Sequence, residues 1–142
     1  MATTAIQKSA APWSRFGLFA GLALVSAPVM NGIVYSILNA LGMMDDSIIP
    51  AEGGEPITLI PVVLATIMAV VSASVVYGLL LAFTQRPLRW FMLISVGVLA
   101  VSFVPTASLE GIPAEMTLAL NIMHLIAAGI IIGLFSRVNR PA

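Results

Sequence analysis

The chain has 142 residues, enough for one domain; 60% of them are hydrophobic and 8% charged. A soluble domain needs about 25% charged residues to solvate its surface, so lipid must cover most of this one. Cysteine is absent and the formal net charge is zero. That excludes disulfides, thiolate metal sites and cysteine nucleophiles, and leaves no electrostatic case for nucleic acid.

Four apolar runs predict four membrane-spanning helices in a single transmembrane domain over residues 1–142, at about 16–41, 57–83, 88–106 and 114–136. About 20 apolar residues carry a helix across the hydrocarbon. The third run, Leu88–Val104, reaches that length only if Pro105 and Thr106 extend it. None of the runs carries a charge in its interior. They are continuous rather than alternating, which opposes a barrel. The first run has signal-peptide features: Lys8 and Arg15 precede it, and Val25-Ser26-Ala27 resembles a cleavage site. The run continues through Leu41, far past a signal core, and Pro28 follows the apparent cut, so it reads as a retained span.

Pro, Gly and charged residues mark the connections. The first is Met43–Pro56, with Asp45, Asp46, Pro50, Glu52, Gly53, Gly54 and Glu55. The second is Thr84–Pro87, and the third is Ser108–Pro113. Pro113 suits the first turn of a helix, where a missing N–H costs nothing. All six basic residues (Lys8, Arg15, Arg86, Arg89, Arg137, Arg140) lie at the two termini and the second connection. All six acidic residues (Asp45, Asp46, Glu52, Glu55, Glu110, Glu115) lie at the other two connections. Basic residues stay on the cytoplasmic side, so both termini are expected there. Trp13, Trp90 and Phe91 are expected as aromatic anchors at that edge.

Helices associate in lipid through close backbone approach and a few polar links. Small residues four apart occur at Gly17/Gly21, Ala65/Ala69/Ala73, Ser74/Gly78/Ala82 and Gly129/Gly133, and predict a tightly packed bundle. Pro28 and Pro61 are expected to kink the first two spans.

The candidate site is a polar layer near the midplane. His124, the sole histidine, lies about ten residues into the fourth span, roughly 15 Å deep at 1.5 Å per residue. An ionisable residue at that depth is a functional hypothesis by default. Thr117, Asn121 and His124 share a face with Ala128, and Asn31, Tyr35 and Asn39 share another on the first span. His124 is expected to meet Asn31 or a serine among Ser72, Ser74, Ser95 and Ser102. The candidate cofactor-binding residues are therefore His124, Asn121 and Asn31. Three roles compete for His124: a neutral helix-to-helix hydrogen bond, axial ligation of a haem or chlorin, and a proton relay or substrate contact. A relay calls for an acidic partner within the membrane, and no span interior carries one. The acidic connection matches no calcium-loop spacing and reads as a solvated loop. Phosphate loops, nucleophile elbows and His/Glu metal spacings are absent, so the chain reads as a non-enzyme that requires no cofactor and no metal.

From Arg86 onward a pattern emerges: a short basic turn, a span ending Ser102-Phe103-Val104-Pro105, and a last span carrying Leu120-Asn121-Ile122-Met123-His124-Leu125. It resembles a family of small bacterial four-helix membrane proteins known only as a domain of unknown function, with a histidine in the last helix. The resemblance implies size and topology, no activity, and a role for His124 beyond this one chain.

The sequence thus predicts an all-α integral membrane four-helix bundle in a bacterial cytoplasmic (inner) membrane. The expected function is a structural or accessory subunit of a larger membrane complex or a homo-oligomer, with lipid and other membrane subunits as partners. The alternatives are a carrier of a small ligand, haem or chlorin pigment through His124, and a small-solute transporter.

Overall fold

A computed structural model describes residues 11–49, 56–108 and 111–138. It holds four helices: α1 (Ala11–Ala40), α2 (Leu59–Phe83), α3 (Pro87–Ser108) and α4 (Ala114–Phe135). All four are long and apolar enough to cross a membrane, and the chain is a multi-pass membrane protein. Lys8, Pro50, Glu52, Gly53, Gly54, Glu55, Glu110 and Arg140 lie outside the described residues.

Local chemistry sets the helix ends. Gly42 adopts φ +75°, the left-handed conformation that ends a helix. Its N–H reaches Asn39 O at 2.9 Å, and Met43 N–H reaches Leu38 O at 2.9 Å. These paired bonds satisfy the last free carbonyls of α1. Thr84 ends α2 by donating both its N–H and its hydroxyl to Leu80 O. Pro87 then opens α3 at the position where its fixed φ suits a helix start. Pro113 caps α4 in extended geometry, and Glu115 lies in the first turn, where the helix dipole favours an anion.

The prolines behave unequally. Pro28 and Pro105 lie inside α1 and α3, so α3 does extend past Val104 as expected. Pro61 does not interrupt α2. The helix starts at Leu59, which places Pro61 in the first turn, where no intrahelical bond is lost.

The helices neighbour one another in chain order around the bundle. Among the described residues α1 and α3 do not touch, while α2 and α4 meet narrowly across the centre. α3 is the most peripheral: 6% of its span is buried, against 33% in α4.

The core forms two separate clusters. At the basic end, near Arg15, Arg86, Arg89 and Arg137, every helix supplies one ring: Phe16, Tyr77, Phe91 and Phe135. Tyr77 lies 5.0 Å from both Phe91 and Phe135, and Phe16 lies 5.9 Å from Tyr77 and from Phe135. Ala23, Ala27, Val70, Ile131 and Val138 complete this cluster. Phe91 is therefore a core residue, 1% exposed, and not the rim anchor expected from its neighbour; Trp13 and Trp90 are about half exposed. At the acidic end Tyr35, Leu38, Met44, Val62, Met116, Ala119, Leu120 and Met123 pack together.

The glycine pairs do not pack the bundle. A Cβ added at Gly17, Gly21, Gly129 or Gly133 would meet nothing within 4 Å. Among the described residues Gly32 and Gly78 are the glycines that accept neighbours: Leu59 lies 3.7 Å from the Cβ position of Gly32, and Phe16 lies 3.6 Å from that of Gly78.

Candidate functional site

Between the two clusters lies a layer of small and polar side chains. Asn31 on α1 is buried, 4% exposed, about two and a half turns from the acidic end of its helix. Its Nδ2 donates to Thr66 Oγ1 on α2 at 2.9 Å. Thr66, itself buried, donates its hydroxyl proton to Val62 O at 2.8 Å. The Thr66 oxygen therefore acts as an acceptor and fixes the amide with Nδ2 toward it. Among the described residues Asn31 Oδ1 is left buried with no hydrogen-bond partner. Turning the amide over would only exchange which half is orphaned. An unmet buried acceptor costs about 1–3 kcal/mol.

His124 does not bond Asn31 or a serine. Its Nδ1 lies 2.8 Å from Leu120 O, one turn back on its own helix. A carbonyl only accepts, so Nδ1 carries a proton in this contact. The buried stripe of α4 runs through Met116, Ala119, Leu120, Met123, Ala127, Ile131 and Phe135, and His124 sits half-buried at the edge of that stripe.

Two cavities flank this edge. The first, about 250 Å³, lies between α1, α2 and α4; Asn31, Thr66 and His124 line it together with apolar residues such as Val62, Leu120 and Met123. The second, about 290 Å³, lies between α2, α3 and α4, and Ser95, Ser102 and His124 contribute to its wall. Ala69, His124 and Ala127 border both. The fold thus brings two of the three expected site residues, Asn31 and His124, to one cavity. Asn121 is half-buried and is not among the lining residues of either cavity. Ser74 and Ser102 spend their hydroxyls on Val70 O and Leu99 O of their own helices, and Ser72 faces outward. Thr66 is the partner that inspection for serines missed. The available signal was depth: it lies about two turns into α2 from the acidic end, level with Asn31 across the antiparallel pair.

The acidic end carries a second polar group. The Tyr35 hydroxyl donates to Asp46 Oδ1 and lies 3.2 Å from Ile57 O. Asn39 Nδ2 donates to the same Asp46 oxygen at 3.2 Å. This ties the loop after α1 onto the helix face that sequence spacing assigned to Asn31, Tyr35 and Asn39. Neighbouring Asp45 accepts the Ser47 hydroxyl at 2.6 Å and the Ser47 N–H at 2.9 Å, and these bonds hold its carboxyl below the ordinary carboxylate range. Among the described residues no three His, Cys, Asp or Glu side chains group as a metal site.

The first cavity, at about 250 Å³, is smaller than the roughly 300–1,000 Å³ of pockets for drug-sized ligands. Acceptors without matching donors in an apolar chamber suit binding of a small molecule.

Four helices long and apolar enough to cross a membrane, packed around a polar layer, define a small multi-pass bundle. The chain matches a Family of unknown function (DUF6069) over residues 10–141, and it belongs to that family. No curated protein and no solved structure matches it.

Proposed function

We propose that the protein is a non-catalytic subunit of a bacterial inner-membrane assembly, joined to copies of itself or to other membrane chains, with both termini cytoplasmic. The observation that carries this reading is the outward placement of the glycine pairs. Gly17 and Gly21 on α1, and Gly129 and Gly133 on α4, are exposed with open space beside each. The Phe16–Phe135 ring contact at 5.9 Å puts the two pairs at one depth on neighbouring helices. Such small-residue troughs let a foreign helix backbone approach closely. The segregation of basic and acidic residues supports the orientation.

Gly129→Leu and Gly21→Leu test it. Nothing among the described residues lies within 4 Å of either added Cβ, so each chain should keep its fold and helical content. Native mass spectrometry from a mild detergent should show the parent as an assembly and the variants as single chains. A monomeric parent, or variants that assemble as the parent does, would refute the subunit reading.

The carrier alternative is favoured by a different observation, the orphaned Asn31 oxygen, and concerns a small ligand rather than a pigment. A solute transporter has less support, because packed clusters close the bundle on both sides of the cavities.

A further inference from the structure

The first cavity combines a single polar spot with an apolar wall. Among the described residues Asn31 Oδ1 is buried and unpartnered, while Ile57, Val62, Leu120, Met123 and Ala127 are among the apolar residues of the wall. Water does not fill such a space well. One water takes about 30 Å³ of liquid volume and needs two to four polar partners. A water at Asn31 would leave most of about 250 Å³ lined by groups that give further waters nothing to bond. An apolar cavity of about 150 Å³ holds benzene, so this one takes a molecule of up to about ten non-hydrogen atoms. Among the described residues no carboxylate lines the cavity, so an ammonium would find no partner there. Pro61, Ala65 and Ala69 at the edge of the cavity are exposed, which opens it sideways to the lipid phase.

We propose that the cavity between α1, α2 and α4 is a binding site for one small, neutral, largely apolar alcohol or phenol, whose O–H donates to Asn31 Oδ1. The molecule enters laterally from the bilayer, and its apolar body packs against α2 and α4. His124, which lines the same wall, is available to a second polar group. The site is independent of the assembly face, because the glycine pairs do not line it.

The probe is 4-fluorophenol, followed by fluorine NMR with the full chain in lipid nanodiscs; 1,4-difluorobenzene, of similar shape but without a donor, is the comparison. Empty nanodiscs measure partition into lipid. The expected result is saturable binding of one phenol per chain, at least tenfold tighter than the difluorobenzene. Asn31→Leu should erase that preference. Ala69→Leu, at the exposed edge, should abolish phenol binding without changing helical content or melting, and it keeps the test decisive if Asn31→Leu fails to fold. A phenol signal equal to that of empty nanodiscs would overturn the proposal. So would equal affinity for both probes, or undiminished phenol binding by Ala69→Leu or by a folded Asn31→Leu.

Discussion

Replacing Asn31 by Leu should stabilise the ligand-free bundle, although it deletes a buried hydrogen bond between helices. The bond lost is Asn31 Nδ2 to Thr66 Oγ1 at 2.9 Å. Inter-helix hydrogen bonds in a membrane are worth about 0.6 kcal/mol on average and reach about 1.7 kcal/mol. The orphan removed is Oδ1, whose desolvation costs about 1–3 kcal/mol. No new orphan donor appears, because the Thr66 hydroxyl already donates to Val62 O. Leucine also brings apolar atoms of similar volume to a partly empty cavity. The balance is a gain of about 1 kcal/mol. Thr66→Val makes the opposite change: it leaves the whole Asn31 amide unpaired and should cost about 1–2 kcal/mol. Reversible unfolding in mixed micelles, titrated with SDS and followed by circular dichroism, reads both variants. A loss of 1 kcal/mol or more in Asn31→Leu would refute the reasoning, because Oδ1 would then have to be bonded in the folded protein. The stability given up at Asn31 in the parent is what a binding site demands, since groups reserved for a ligand stay unmet without it.

Two further changes probe the ends of the bundle. Phe135→Ala removes a fully buried ring that touches rings from the other three helices. It should cost about 3–5 kcal/mol in the same titration, and a loss below about 1 kcal/mol would show that the aromatic cluster does not hold the basic end. Tyr35→Phe removes the hydroxyl that ties Asp46 to α1, while Asn39 keeps its bond to the same carboxylate. The cost should be about 1 kcal/mol and local, seen as faster amide exchange over residues 41–49 with the four helices unchanged; unaltered exchange there would contradict it.

The four helices were legible because the bilayer allows few alternatives: a charge-free apolar run of span length is a helix, and the breaker clusters bound it. What the sequence hid was which face of each helix turns inward. In water, hydrophobic periodicity reports that face. In lipid both faces are apolar, so Trp90 and Phe91 look equivalent although one is outside and the other is at the core. The glycine motifs suffered the same ambiguity, since four-residue spacing identifies a trough but not which neighbour fills it. Within the site, depth and spacing set Asn31 on one face with Tyr35 and Asn39 and put His124 at a similar level; the structure has Asn31 and His124 line one cavity, while Tyr35 and Asn39 bond Asp46. They could not foresee that His124 would bond its own Leu120 carbonyl, because a side chain in a helix always has a backbone acceptor one turn back. Thr66 was passed over for serines nearer the middle of α2, although its distance from the helix end matched that of Asn31.

The division of the core into two clusters has a mechanical consequence. Aromatic rings clamp one rim and the Tyr35–Met123 cluster clamps the other, while the waist between them contains cavities of about 250 and 290 Å³. Close-packed interiors resist compression, and voids are where a protein yields first, because the volume change on unfolding scales with the empty space eliminated. The bundle is therefore packed at its two rims and least filled at its waist, and a squeeze from the surrounding bilayer is expected to be taken up at the level of Asn31 and His124.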